Sequence, residues 1–149
     1  MRERVVVDST CLIGLERIAR LDILPALFDP VTIPPEVARE FGVALPWLKI
    51  EAPADGALIT ALKMLVDDGE AEAIALARSL GCELILDDRQ ARAVARNLGL
   101  RVVGTIGILI RAKREGIINA LKPVLDELER AGFYLGGELK EEALRLVGE

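Results

Sequence analysis

The chain has 149 residues, of which 52% are hydrophobic, 29% charged and only 3% aromatic, so we expect one domain, residues 1–149, with an aliphatic core. The net charge of −5 argues against a broad, passive nucleic-acid-binding surface, and the absence of histidine excludes Ser-His-Asp and Cys-His catalysis and His-rich metal sites. No stretch approaches the ~20 apolar residues of a membrane span, and no leader precedes the first strand, so a cytoplasmic protein without membrane contact is predicted.

Short apolar runs alternate with helical patterns along the chain. In chain order the sequence predicts strand 5–7, helices 11–18 and 21–28, strand 31–33, a helix opened by Pro34-Pro35, a loop over 42–55 with an extended piece at 48–50, helices 57–66 and 70–80, strand 83–86, helix 89–98, strand 101–103, and helices 106–114, 119–130 and 138–147. This alternation predicts a three-layer α/β/α fold with a central, mainly parallel sheet of four to five strands and a helical C-terminal part from about residue 117.

Four acidic residues stand where a predicted strand ends or within a predicted helix near an apolar stripe: Asp8, Glu40, Glu70 and Asp88. Because the carboxyl ends of parallel strands open on one crevice, we expect these side chains to converge there. Carboxylates gathered without a basic partner repel one another, and Mg²⁺ or Mn²⁺ prefers oxygen ligands of this kind. The sequence therefore predicts a site for a divalent cation.

Helical periodicity places Glu70 and Glu72 on opposite sides of the predicted helix. Glu70 lies on the apolar face of its predicted helix, where a carboxylate is costly unless it is paired or bound to a metal, whereas Glu72 points to the opposite, solvated side. The plain alternative for Glu70 is that it complements the helix dipole from the first turn. Asp8 ends an all-apolar strand, and Ser9 or Thr10 is available to cap the following helix in its place.

The pair Asp87 and Asp88 leaves two assignments open. Asp87 followed by Gln90 resembles a capping box, which would leave Asp88 free to face the crevice, restrained by Arg92 one turn later. The reverse assignment makes Asp87 the metal ligand. Ser9 is a further candidate, as a hydroxyl that orients a carboxylate.

Basic and aromatic residues give weaker signals. The candidates for contacts with backbone phosphates are Lys49, Arg89, Arg92 and Arg96, and each is equally well explained as a solvated charge. Trp47 either stacks on a base or anchors its loop in the core, and the second interpretation is the simpler one. Cys11 and Cys82 show no CxxC spacing and are predicted to be buried free thiols.

Four motifs in chain order resemble the PIN-domain family. They are VVVDSTCLI at residues 5–13, PEVAREF at 35–41, GEAEAIALA at 69–77 and LILDD at 84–88, and the likeness is greatest to a prokaryotic branch similar to the VapC toxins. The resemblance implies a metal-dependent ribonuclease with Asp8, Glu40, Glu70 and Asp88 as Mg²⁺ or Mn²⁺ ligands. It also implies an RNA substrate, and members are often homodimeric toxins neutralised by a partner antitoxin.

In the leading hypothesis the metal polarises the scissile phosphate and generates a hydroxide-like nucleophile. A noncatalytic interaction module with the same fold is an alternative, because Glu70 replaces the aspartate of many members and Arg89-Gln90 replaces their usual aspartate-plus-aromatic pattern. A receiver-like phosphoacceptor domain is the third, although no lysine directly follows the fourth strand. The apolar positions Val124, Leu125 and Leu128 fit either a dimer or antitoxin surface or a helix covered by the chain's own sheet.

Overall fold

A computed structural model describes residues 2–149; Met1, where the predicted domain begins, lies outside the described residues. Strands and helices alternate along the chain. The strands are β1 (Glu3–Val7), β2 (Phe28–Ile33), β3 (Leu48–Ile50), β4 (Glu83–Ile85) and β5 (Val102–Val103). The helices are α1 (Ser9–Arg17), α2 (Ile23–Leu27), α3 (Pro35–Phe41), α4 (Gly56–Leu62), α5 (Asp68–Leu80), α6 (Arg89–Asn97), α7 (Thr105–Arg114), α8 (Leu121–Arg130) and α9 (Gly137–Leu146).

The five strands form one parallel sheet in the order β3-β2-β1-β4-β5. From the central strand β1 the chain builds outward through β2 and β3, and it then crosses back to add β4 and β5 on the other side. Val5, Val6 and Val7 of β1 are fully buried, as expected for a strand covered on both faces by helices. The predicted three-layer α/β/α fold is confirmed, and the change of direction between β1 and β4 leaves a crevice at their carboxyl ends.

Helix α5 covers the middle of the sheet and contacts β1, β4 and α3. Its buried side is built from small and branched aliphatic residues, among them Ala73, Ile74 and Leu76. Gly81 closes the helix in the left-handed conformation, as predicted for a glycine just past a helix end. The beginning of this helix therefore lies at the same edge of the sheet as the end of β1.

Several boundaries differ from the prediction. Strand β2 begins at Phe28, which pairs with Glu3 of β1, so the preceding helix is shortened to Ile23–Leu27. Helix α4 ends at Leu62 instead of 66, and the extended piece predicted at 48–50 is the edge strand β3, paired with β2. These boundaries are decided by pairing between strands that are distant in the sequence. Local periodicity carries no information about that pairing.

The C-terminal helices pack onto the rest of the chain. Val124, Leu125 and Leu128 of α8 are buried, which favours coverage by the chain itself over an open partner surface. Glu149 accepts a hydrogen bond from the backbone N–H of Leu121 at 2.7 Å and caps the start of α8.

Cys82, like Cys11, is a buried free thiol, as predicted. Among residues 2–149, no helix combines the length and apolar character needed to cross a membrane.

Candidate functional site

Asp8 directly follows β1 at the carboxyl edge of the sheet. Its backbone N–H donates to the carbonyl of Ile85 at 3.1 Å, which continues the pairing of β1 with β4 and fixes where the side chain begins. Only 5% of Asp8 is exposed. Burial raises the pKa of Asp8 from 3.8 to about 7, the amide of Ser9 opposes this, and the carboxylates of Glu70, Asp67 and Glu40 raise it further. Asp8 occupies the cap position of α1 without making a side-chain capping bond.

Glu70 is held in the first turn of α5 by a reciprocal capping box. Its Oε1 accepts from the backbone N–H of Asp67 at 3.1 Å, and Oδ1 of Asp67 accepts from the N–H of Glu70 at 2.8 Å. Glu70 is 8% exposed. Burial raises its pKa to about 7, the backbone bond from Asp67 lowers it, and the charges of Asp67 and Asp88 raise it again. The dipole interpretation is thus correct in part, but this carboxylate is also buried beside other acids.

Glu40 reaches the same place from the last turn of α3. Its Oε2 accepts a hydrogen bond from the hydroxyl of Ser9 at 3.4 Å, so Ser9 orients a carboxylate and does not cap α1. A Cβ placed on Gly69 would collide with Oε1 of Glu40, and Oδ1 of Asp67 also lies within 4 Å of that point. Partial burial, followed by the charges of Asp67 and Glu36, raises the pKa of Glu40. The lack of a side chain at Gly69 leaves room for this glutamate.

The predicted capping box of Asp87 and Gln90 is wrong. Asp88 is the residue that caps α6, through Oδ2 and the backbone N–H of Ala91 at 2.8 Å. Both oxygens of Asp87 are instead bonded to Thr105, at 2.8 Å from its N–H and 2.6 Å from its hydroxyl. Because Thr105 is fully buried at the start of α7, it fixes Asp87 from an element 18 residues away.

Two further expectations are corrected. Glu72 is not simply solvated, because its Oε1 accepts from the backbone N–H of Glu36 at 3.0 Å and ties α5 to the start of α3. Arg92 makes no ion pair with Asp88 among the charged pairs of residues 2–149. Lys49 pairs with Glu51 at 3.3 Å, which gives it a structural partner.

The surroundings of the acids contain one residue that sequence reasoning missed. The negative charge of Asp67 raises the pKa values of Asp8, Glu40 and Glu70. Its side chain also caps the helix that carries Glu70. The sequence signal was present, since an aspartate three residues before a glutamate is a capping-box pattern. Asp67 lies between the predicted helices 57–66 and 70–80 and is therefore absent from the predicted site residues.

A cavity of about 860 Å³ opens next to these residues. Asp67, Glu70, Asp87 and Asp88 line one part of it, and an apolar part is formed by α1, α7 and the segment between α8 and α9. Asp88, Glu70 and Asp67 thus face the same cavity. Asp8 and Glu40 lie close enough to these acids for the charge of Glu70 to act on Asp8 and the charge of Asp67 to act on both. A ligand with a charged group and an apolar group could contact both parts.

A family model described as a PIN domain matches residues 4–149 of the chain. The chain belongs to the PIN-domain family. PIN domains are usually nucleases that generally use divalent metal ions, so a nuclease-type hydrolase is supported at this coarse level. A comparison with curated proteins finds no significant match. The likeness to the VapC branch stays a prediction.

The donor set at this PIN-domain site fits a hard divalent cation. It consists only of carboxylate and hydroxyl oxygens, and none of Asp8, Glu40, Glu70 or Asp88 enters an ion pair among residues 2–149. In that same part of the chain, no three acidic or cysteine side chains are drawn together tightly enough to form a ready-made metal site. Hydrogen bonds within the chain already occupy Glu70, Asp88 and Glu40.

Proposed function

We propose that this PIN domain is a metal-dependent ribonuclease that hydrolyses RNA phosphodiester bonds. Asp8, Glu40, Glu70 and Asp88 would hold Mg²⁺ or Mn²⁺. The observation that carries the proposal is the pair of buried carboxylates, Asp8 and Glu70, which lie beside further acids and, within residues 2–149, form no ion pair. Folding brings these charges together at a cost, and a bound cation would offset it.

A bound divalent ion would neutralise charge on the phosphate and lower the pKa of water at the site. The chain's own residues supply the support for it. Ser9 holds the carboxylate of Glu40, and Gly69 leaves space for that carboxylate beside Asp67. Both oxygens of Asp87 are bonded to Thr105, so we assign it a supporting role at the edge of the cavity. Asp88, which keeps one oxygen free of hydrogen bonds among residues 2–149, remains the ligand candidate.

Glu70 and Asp88 each keep one carboxylate oxygen that accepts no hydrogen bond among residues 2–149. The N–H of Asp67 bonds to Oε1 of Glu70, and the N–H of Ala91 bonds to Oδ2 of Asp88, so Oε2 of Glu70 and Oδ1 of Asp88 remain for the cation. The two backbone N–H groups would orient the carboxylates toward it.

The test compares wild type with Asp8→Asn on a panel of structured and single-stranded RNAs in the presence of Mn²⁺. Glu16→Gln, which removes one charge from the exposed side of α1, is the matched control. We expect cleavage by wild type and by the control, and at least a hundredfold loss in Asp8→Asn, in line with the ~10²-fold or larger effects of removing a catalytic group. Equal cleavage by all three proteins would refute the site assignment.

Calorimetric titration with Mn²⁺ in phosphate-free buffer separates this proposal from the noncatalytic module. A nuclease site should bind Mn²⁺, and Asp8→Asn should weaken the binding. Absence of both cleavage and Mn²⁺ binding would favour the module, for which the hydrogen bonds that already occupy Glu70 and Asp88 are the supporting observation.

Membership of the PIN-domain family does not favour the receiver-like domain. The antitoxin partner, the homodimer and the cytoplasmic location stay predictions from the sequence.

A further inference from the structure

Arg92 has an unusual position for a basic residue in this chain. It lies in the second turn of α6, lines the cavity with Asp87 and Asp88, and its Nε is buried without a hydrogen-bond partner. One terminal nitrogen lies 3.5 Å from the point where a Cβ on Gly104 would stand. Among residues 2–149 this guanidinium enters no ion pair. A phosphate oxygen is the natural partner for such a group.

The apolar part of the same cavity carries two of the five aromatic residues of the chain. Phe133 is fixed against α1, because Gly14 has no side chain and a Cβ there would lie only 3.0 Å from the ring. The backbone N–H of Phe133 also donates to the carbonyl of Leu128 at 2.9 Å. The neighbouring Tyr134 is 89% exposed at the edge of the cavity. Next to the anchored Phe133, Tyr134 thus presents an aromatic ring to solvent.

Arginine, an exposed aromatic ring and a continuous groove are the elements with which proteins bind single-stranded nucleic acid. In a chain of net charge −5, the cavity nevertheless contains two arginines, Arg92 and Arg17, beside the acids. Arg17 is partly engaged, through a 3.3 Å hydrogen bond to the carbonyl of Ala131. Arg92 is the better candidate for a phosphate contact through its terminal nitrogens, because among residues 2–149 it enters no ion pair and its buried Nε has no hydrogen-bond partner.

We infer that the cavity contains a nucleotide subsite, in which Arg92, beside the acids, binds a phosphate of single-stranded RNA and Tyr134, at the edge of the apolar part, stacks on an adjoining base. This inference rests on the proposed ribonuclease function, because the cation held by the carboxylates would bind the scissile phosphate. Arg92 and Tyr134 are then positioning residues that hold the strand, and they take no part in the chemistry.

Binding is measured by fluorescence anisotropy of a labelled single-stranded RNA in the Asp8→Asn background with Mn²⁺, so that cleavage does not interfere. Tyr134→Ala should weaken binding on the order of tenfold, and Tyr134→Phe should retain it, because a stacked base contributes roughly 1–3 kcal/mol. Tyr134→Leu should behave like the alanine variant. Equal binding by the leucine and tyrosine proteins would overturn base stacking and favour an apolar peptide as the occupant.

Arg92→Gln should raise KM on the wild-type background and flatten the salt dependence of binding by about one phosphate contact, with a smaller effect on kcat. Arg78→Gln removes the same charge from the exposed far end of α5 and is the matched control. In the Asp8→Asn background, an RNA that lacks the stacked base should bind equally well with and without Tyr134→Ala.

The two proposals fail separately. If wild type cleaves RNA but Tyr134→Ala and Arg92→Gln bind and cleave as the wild type does, the subsite is wrong and the ribonuclease function stands. If no RNA is cleaved while binding still depends on Arg92 and Tyr134, the function is wrong and the subsite stands. Absence of any RNA binding would overturn the subsite.

Discussion

Replacing Asp8 by asparagine should stabilise the metal-free protein at neutral pH, although it should abolish activity. The pKa of Asp8 is raised from 3.8 to about 7 in the folded chain, mainly by burial. Between about pH 4 and about pH 7 the folded state therefore keeps a proton that the unfolded chain has released. Since the folded state binds more protons in this window, the free energy of unfolding falls as the pH rises through it and levels off above the folded pKa.

The size of the effect follows from the same numbers. At about 1.4 kcal/mol per pKa unit, a rise from 3.8 to about 7 corresponds to a loss of up to about 4 kcal/mol above pH 7. Asparagine does not titrate, so the variant does not show this loss of stability. Glu70, whose pKa is also raised to about 7, adds a fall of the same sign to both proteins. The difference between the two proteins therefore reports the burial of Asp8 together with its repulsion from Glu70.

Urea unfolding followed by far-ultraviolet circular dichroism, with EDTA at several pH values from about 5 to about 8.5, measures this difference. The advantage of Asp8→Asn should grow with pH up to about 7 and then stay constant, whereas Glu16→Gln should show no such growth. Mn²⁺ at about 100 times its Kd should narrow the difference, because it stabilises the folded wild type by about 2.7 kcal/mol against a loss of up to about 4 kcal/mol. A stability difference that is the same at every pH would refute the reasoning.

Two more substitutions test the site and its support. Gly69→Ala should displace the flexible carboxylate of Glu40 without unfolding the chain, so RNA cleavage and Mn²⁺ affinity should fall roughly tenfold or more while the thermal midpoint stays close to wild type. Gly56→Ala, where the added methyl meets open space, should keep full activity, and an active Gly69→Ala protein would contradict the geometry. Thr105→Val should lower the free energy of unfolding by about 1–3 kcal/mol, because it leaves an oxygen of Asp87 without its 2.6 Å partner; urea unfolding measures this, and a loss below about 0.5 kcal/mol would count against it.

The sheet could be predicted because its central strands are uniformly apolar and short. Val5–Val7 and Leu84–Leu86 are fully buried, and burial on both faces leaves no alternation to interpret. For the same reason the position of Asp8 was predictable, since the first polar residue after a buried strand lies at the edge of the sheet. The early start of β2 at Phe28 was not predictable, because it depends on pairing with β1.

The roles of individual acids were harder to predict. Asp87 and Asp88 have the same local chemistry, and either could cap α6 from the sequence alone. The decision comes from Thr105, which becomes a neighbour only after β5 has joined the sheet and α7 has begun. Asp67 was missed for a related reason: its capping role is local, but its charge acts on Asp8 and Glu40, which reach it through the fold.

Hydrogen bonds at helix beginnings connect the stability of this site to its proposed activity. The N–H groups of Asp67 and Ala91 orient the carboxylates of Glu70 and Asp88, and each carboxylate keeps one oxygen free of hydrogen bonds among residues 2–149. A hydrogen bond to a charged group contributes about 1.5–3 kcal/mol, so both bonds hold the acids in place with or without a cation. RNA that brings its own negative charge into the cavity would add a further ligand to the ion. Metal binding and RNA binding should therefore strengthen each other, and Mn²⁺ titrated in the presence of single-stranded RNA should bind more tightly than Mn²⁺ alone.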